Sequence, residues 1–501
     1  MKPVPDGSAL ARLLAATCVL TAAACASAPP YQPPATTAPS AYKETAPPES
    51  LLGTAWKVAE PQNERVRPNW WEMFGDPALN ALEARVAKAN PTVAEAEATF
   101  RAARAALRAA NADLYPTVGA TGSVSATRQS ANRGTITTGG GTGTVPITTG
   151  SAGGTINDYL AQADVSYTPD ISGKVRGTIR AQAASAQAAA ADLENTLLTL
   201  QQDLAVDYVS LRGIDEQIRL LRDATESYDH ALQLTINRRD QGVASGADVA
   251  QARTQLETTR AQTTDLAIGR AQMEHAIAVL TGQMPAAVSV EVSTTPLTPP
   301  VVPVGLPSDL LERRPDIAGA ERRVAAANAQ IGVAHAAFFP TLTLSGSGGF
   351  ESSALTTIFD WPSRVWSLGA ALAQTIFDGG KRRAQTDQAV AVYDETAAAY
   401  RQSVLQAFQQ VEDTLAELRI LAEEAAEQQA AVAAAEQSLT IANNQYQGGI
   451  TTYLEVITAQ NVALTNERTA ADLKTRQLTA SVQLVAALGG GWSVKDLPTV
   501  R

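Results

Sequence analysis

The chain contains the same pattern twice. Asn90-Pro91 opens an Ala-rich stretch that ends at Leu114-Tyr115-Pro116-Thr117, and Arg314-Pro315 opens another that ends at Phe338-Phe339-Pro340-Thr341. The bracketing prolines stand 25 positions apart in both copies. Further on, Gly173-Lys174 and Gly380-Lys381 are related by 207 positions, and the same offset carries Gly242 onto Gly449, Asp248 onto Glu455 and Gly282 onto Gly489. A constant offset that aligns turn glycines marks duplicated supersecondary units. Whatever one half folds into, the other must fold into as well.

Each half reads helix, strand, loop, strand, long helix, turn, helix. Strand alternation is clear where Val118, Ala120, Gly122, Val124 and Ala126 interleave with Thr117, Thr121, Ser123, Ser125 and Thr127. Leu342, Leu344, Gly346, Gly348 and Phe350 repeat it against Thr341, Thr343, Ser345 and Ser347. Tyr159, Ala161, Ala163, Val165 and Tyr167 form a second strand, and Trp366, Leu368, Ala370 and Leu372 begin its partner. The Gly- and Thr-rich stretch 131–156 and the shorter 353–363 join the two pairs. Aromatics at strand ends, Tyr115, Phe338, Phe339, Trp361 and Trp366, suit an interfacial girdle. The helix from Lys174 to Gln241 is roughly 100 Å long, and Lys381 to Gln447 matches it. Segments near 247–281 and 453–488 are about half that, and helices near 91–113 and 315–338 add roughly 35 Å each. Two shorter helices end to end nearly equal one long one, which suggests a rod with strands at one end and tight turns at the other. Ala181, Ala184, Ala188 and Ala191 allow close helix approach.

Composition narrows what the strands can do. The 501 residues are 45% hydrophobic but only 5% aromatic, which suits thin helix contacts rather than thick cores. The formal charge of −11 argues against nucleic acid as a partner. A mean hydropathy of −0.08 and no apolar run of membrane-spanning length after the N-terminus exclude a bundle of spanning helices. A β-barrel survives that test, because its strands alternate. Four strands cannot close alone, and an open sheet in lipid leaves backbone unpaired. Oligomerisation must complete the barrel: two copies give eight strands and three give twelve.

The N-terminus reads as a secretory signal, residues 1–24, with Lys2 and Arg12 ahead of an apolar run from Leu13 to Ala24. Ala22-Ala23-Ala24-Cys25 resembles a bacterial lipobox with Ala22 in place of its usual Leu, so Cys25 is the expected lipidation site. Plain cleavage after Ala24, leaving a spare thiol, is the alternative. Residues 25–69 read as a Pro-rich tether with no core of its own, 70–282 as the first repeat, 283–304 as a linker, 305–489 as the second repeat and 490–501 as a tail.

Two stretches then carry a family resemblance. Trp70-Trp71-Glu72-Met73-Phe74-Gly75-Asp76-Pro77-Ala78-Leu79 resembles the opening motif of outer-membrane efflux factors. Gly305-Leu306-Pro307-Ser308-Asp309-Leu310-Leu311-Glu312-Arg313-Arg314-Pro315-Asp316-Ile317 resembles their most distinctive run, which continues through Ala320-Glu321-Arg322-Arg323 and Phe338-Phe339-Pro340. The match spans roughly residues 70–490 and is similar to the NodT-type lipoprotein branch of the TolC-like family. The resemblance implies an α+β membrane protein: a homotrimer with a twelve-strand outer-membrane barrel, four strands per chain, continued by a long helical barrel in the periplasm. It implies outer-membrane lipid around the barrel, and a periplasmic membrane-fusion adaptor and an inner-membrane pump of the resistance-nodulation-division class as partners. It also implies a gated passage without catalytic activity or cofactor.

The helix turns are the expected site of that mechanism. Gly242, Ser245 and Gly246 in one turn, and Gly449, Thr451 and Thr452 in the other, permit sharp reversals and, by the resemblance, form the tips that meet the adaptor. The same glycines also suit an ordinary helical hairpin. Asp248 and Glu455 follow at equivalent places, where a trimer would set six carboxylates near one ring; each also lies in a first helical turn, where acids favour the macrodipole. In the family the second turn follows a Tyr and carries an Arg and then two Asp. Tyr446 matches the Tyr and Glu455 the first Asp, whereas Thr451 and Thr458 replace the Arg and the second Asp. Closure is therefore expected to rest on Tyr446, Asp248 and Glu455. Arg313, Arg314, Pro315 and Asp316 are expected to organise a helix start, and Trp70-Trp71 to pack.

His230, His275 and His335 share no ligand spacing, and no nucleophile elbow or phosphate loop is present, so neither a metal site nor an enzyme is expected. Two other classes fit parts of the pattern. A periplasmic stalk would want regular Leu or Ile seams, and a diffusion porin would not need 100 Å helices.

Overall fold

The computed structural model describes residues 30–35, 39, 41–44, 69–128, 155–293, 295–300, 302, 307 and 310–497. The signal segment, Cys25, most of the tether, most of the loop 131–156 and the motif residues Gly305, Leu306, Ser308 and Asp309 lie outside them. The elements are α1 (Pro77–Ala89), α2 (Pro91–Ala112), β1 (Thr117–Arg128), β2 (Thr155–Tyr167), α3 (Lys174–Asp240) and α4 (Gly246–Leu280), followed by α5 (Pro315–Ala336), β3 (Thr341–Ser352), β4 (Arg364–Ala373), α6 (Lys381–Gln447) and α7 (Tyr453–Ala487). A short 3-10 turn, Trp70–Phe74, precedes α1, and one helical turn, Leu310–Arg313, precedes α5. From α2 onward the order of the first half repeats in the second. Residue contacts divide the chain into a unit holding 105–183 and 325–394, with the strands, and a helical unit holding 33–104, 184–324 and 395–501.

In the strand unit, β1 to β4 form one antiparallel sheet in chain order. Pairing matches like with like. Val118 lies opposite Val165, Ala120 opposite Ala163, Val165 opposite Gly346 and Leu342 opposite Leu372. One face therefore carries Val118, Val124, Tyr159, Val165, Leu344, Trp366, Leu368 and Leu372, and the other Thr, Ser, Gln and Asp. Val118, Val124, Trp366, Leu368 and Leu372 are exposed. Among the described residues β1 and β4 are edge strands.

In the helical unit, four helices end the same way. Gly242 N–H donates to Arg239 O and Val243 N–H to Arg238 O; Gly449 and Ile450 do the same to Tyr446 and Gln445. Gly282 with Gln283, and Gly489 with Gly490, repeat the pair at the ends of α4 and α7. This double bond around a left-handed residue is the Schellman closure, and the offset read from the sequence is the spacing of these closures. A second duplicated contact holds each helix end to an earlier turn. Asn90 Nδ2 donates to Leu280 O at 2.8 Å, and Arg314 Nη1 donates to Ala487 O at 2.8 Å.

One apolar core in this unit gathers Trp70, Trp71 and Phe74 with Leu204, Leu211, Leu310, Leu415 and Leu484. Trp70 is fully buried and meets Trp71 edge to face at 5.8 Å. Asp76 caps α1 through Ala78 N and accepts the Tyr208 hydroxyl at 2.7 Å, tying the opening motif to α3. The described end of the tether joins this core. Tyr42 packs on it, Glu412 on α6 accepts the N–H groups of Lys43 and Glu44 at 2.8 and 2.9 Å, and Arg419 pairs with Glu44. Residues 42–44, read from composition as part of a tether with no core of its own, dock onto the core of the helical unit. Composition could not show this, because two backbone donors and one distant carboxylate make the bond.

Candidate functional site

The two hairpin turns are built by the Schellman closures, with Gly242 at φ +76° and Gly449 at φ +73°. Among the described residues nothing lies within 4 Å of where a Cβ would stand on either. Conformation alone requires glycine there: an L residue pays about 1–2 kcal/mol in the left-handed region. Val243 and Ile450, one residue on in each turn, are both exposed.

The helices that leave the turns start differently. Ser245 caps α4: its Oγ accepts from Asp248 N at 3.1 Å, and the Asp248 carboxylate accepts from Ser245 N at 2.8 Å and from its hydroxyl at 2.9 Å. This is a complete capping box. Asp248 is thus engaged locally, as an acid in a first helical turn can be. Gly246 is the first residue of α4. Thr452 occupies the equivalent cap of α7 but makes no side-chain cap bond. Glu455 lies exposed in the first turn of α7. Thr451 Oγ1 is buried without a hydrogen-bond partner among the described residues.

Tyr446 is buried, and its ring centroid is 5.2 Å from that of Tyr453. Both belong to a second apolar cluster with Tyr228, Leu232, Val249, Leu256 and Val456, drawn from both hairpins. Burial, with the Tyr446 and Tyr228 hydroxyls nearby, pushes the Tyr453 phenol up to about 12. Arg238, in the last turn of α3, closes the arrangement. Its guanidinium carbon lies 4.5 Å from the Tyr446 ring centroid, and Nη1 donates to Tyr446 O at 2.9 Å. Sequence reasoning missed Arg238 and Tyr453. The duplication offered a signal, because it sets Arg239 opposite Tyr446 and marks a basic pair where the first turn begins.

The distinctive second motif is a helix junction. Arg314 is buried and grips Asp316 bidentately, Nε to Oδ1 at 3.0 Å and Nη2 to Oδ2 at 2.7 Å. Nη2 also donates to Gln410 Oε1 at 2.9 Å. Pro315 is the first residue of α5, where its missing N–H costs nothing. A Cβ on Gly489 would overlap Arg313 O, so backbone meets backbone there. Among the described residues no helix is long and apolar enough to cross a membrane.

A model of the outer membrane efflux protein family matches residues 83–283 and 306–490. The chain is similar to a probable efflux pump outer membrane protein, SepC, of Pseudomonas putida F1, at 32% identity over 85% of each chain. It is similar to outer membrane protein OprJ of Pseudomonas aeruginosa at 31% identity over 94% of each. Among solved structures, the outer-membrane channel OprN superposes with a TM-score of 0.81 at 29% identity, covering 93% of this chain and all of that one. The fold is shared also with the open state of the Neisseria gonorrhoeae MtrE outer membrane channel, at a TM-score of 0.79, 24% identity and coverage of 95% and 100%. The chain therefore belongs to the outer membrane efflux protein family.

Proposed function

We propose that the protein is the outer-membrane duct of a tripartite efflux system, passing small molecules from an inner-membrane pump and a periplasmic adaptor out of the cell. The observation that carries this reading is the two-faced sheet with β1 and β4 left as edges. In a bilayer such edges must be paired, and a three-fold closure into twelve strands pairs them without a new element. The apolar face then meets lipid and the Thr-, Ser- and Asp-rich face lines the passage. The chain is taken to be a homotrimer anchored by a lipid on Cys25, with a pump of the resistance-nodulation-division class as its energy source.

Gating is assigned to the hairpin turns. Gly242, Ser245 and Gly246, with Gly449, Thr451 and Thr452, form the ends that meet the adaptor, and exposed Val243 and Ile450 add an apolar knob to each. Tyr446 with Arg238 and Tyr453 joins the hairpins, while Glu455 contributes charge. Asp248 first completes the capping box with Ser245.

Planar-bilayer conductance of the purified trimer tests the reading, wild type against a Tyr446→Ala plus Glu455→Ala variant. Small steps that enlarge in the variant are expected. Unchanged steps would move the gate elsewhere, and no conductance from either trimer would sink the duct.

A further inference from the structure

Charge is completely segregated across the sheet. The three strand carboxylates, Asp158 and Asp164 on β2 and Glu351 on β3, all fall on the polar face. The two charged residues on the apolar face are both arginines, Arg128 and Arg364. Each ends an apolar row at the same end of the sheet: Val118, Ala120, Gly122, Val124 and Ala126 lead to Arg128, and Leu372, Ala370, Leu368 and Trp366 lead to Arg364. They lie on the two edge strands.

The stagger of the sheet brings these edges into register. Arg364 lies opposite Phe350, Phe350 opposite Ala161 and Ala161 opposite Gly122. Crossing the sheet from β1 to β4 therefore climbs half a strand, from Gly122 to the level of the far end. In a barrel with three-fold symmetry every β1 starts at the same height, so one more step along the ladder reaches the end of the next β1, where Arg128 stands. Two guanidinium groups then face each other across the seam on the lipid side. Like charges so placed repel, and an anion between them removes the repulsion.

The surroundings select the anion. Arg364 Nε donates to Trp361 O at 3.0 Å, and its guanidinium lies over the Trp361 ring. Phe359, Trp361 and Trp366 are all exposed beside it. Exposed aromatics at the end of lipid-facing strands mark the level of lipid headgroups. Guanidinium binds phosphate through paired N–H donors.

We propose that each barrel seam carries a phosphate site, built from Arg364 of one protomer and Arg128 of the next, that holds a phosphorylated lipid headgroup of the outer leaflet. The proposal rests on the trimeric barrel reading. It adds three specific lipid sites that also clasp the seams.

Native mass spectrometry of the full-length trimer with bis-phosphorylated lipid A tests it. Wild type should retain up to three lipids, and Arg128→Ala plus Arg364→Ala should weaken retention about tenfold or more. Arg128→Lys plus Arg364→Lys should restore part of it, because charge survives while paired donors are lost. Lipid A stripped of phosphate should bind wild type no better than it binds the Ala variant. Equal retention by the Ala variant overturns the site, and inorganic phosphate competing as effectively as lipid A overturns the lipid assignment. Each single variant is run as well, and the trimer mass reports assembly in every sample. Quenching of Trp366 fluorescence by brominated acyl chains separates the two levels. Quenched Trp366 with unaltered lipid retention defeats the arginine site alone, whereas unquenched Trp366 defeats the barrel itself.

Discussion

Arg238 Nη1 donates to the backbone carbonyl of Tyr446 at 2.9 Å, tying the last turn of α3 to the last turn of α6 across 208 residues of sequence. The same guanidinium stands over the Tyr446 ring. One side chain thus makes both a hydrogen bond and a cation–π contact, and the two together contribute on the order of 1–3 kcal/mol. Arg238→Ala should release the link, and single-channel steps in a planar bilayer should grow relative to wild type. Arg238→Lys keeps the charge but loses the planar fork, so its steps should fall between the two. Steps of wild-type size in both variants would show that this link does not limit the passage.

The two acids after the turns should part company on mutation. Asp248 completes a capping box, so Asp248→Asn and Ser245→Ala should each lower thermal stability by about 1 kcal/mol with little effect on ion selectivity. Glu455 is exposed, and among the described residues its cap residue Thr452 makes no side-chain cap bond. Glu455→Gln should therefore leave stability nearly unchanged and shift the reversal potential under a salt gradient toward lower cation preference. A larger selectivity change from Asp248→Asn would reverse the assignment.

Gly489 and Arg314 should fail in related ways. A Cβ on Gly489 would meet Arg313 O and Arg313 C, and the residue sits at φ +96°. Gly489→Ala should cost about 2 kcal/mol or more through strain and overlap. Arg314→Met removes the guanidinium from Asp316, which keeps the Ile317 N–H, and from Gln410 and Ala487 O, for a loss of about 3 kcal/mol. Both should lower the melting temperature of the detergent-solubilised protein. Because both act on the α5–α7 junction, their effects should combine less than additively.

Much of this fold is legible in the chain. Helix lengths follow from where turn glycines stand, and strands from strict alternation of Val, Leu or Ala with Thr and Ser, both local signals. The offset between copies carries the Schellman closures with it. Contacts that need a partner far along the chain are not legible. Nothing near Glu412 says that it receives the N–H groups of Lys43 and Glu44, and nothing near Asn90 says that it caps Leu280. Asn90 and Arg314 also show that duplication conserves a contact without conserving the residue, which hides the equivalence from a side-by-side reading. At the turns Tyr446 was legible as a motif residue, whereas Arg238 was not, because its partner lies in the other hairpin.

Glu83 gives the protein a stability that depends on pH. It is fully buried on α1, both carboxylate oxygens lack a hydrogen-bond partner among the described residues, and burial pushes its acid up to about 9. The folded protein therefore keeps Glu83 protonated at neutral pH, while the unfolded chain, with its ordinary value of 4.5, has lost that proton. Between those two values the folded state binds more protons, so stability falls as pH rises, by up to about 1.4 kcal/mol per pH unit for this one group. Below 4.5 and above 9 its contribution should be flat. Glu83→Gln keeps the shape and removes the proton, so it should raise the melting temperature at pH 8 and flatten the slope between pH 5 and 8. Melting curves of the two proteins across that range decide the matter. Parallel slopes would mean that Glu83 is charged in the folded protein, held by a partner that these contacts do not contain.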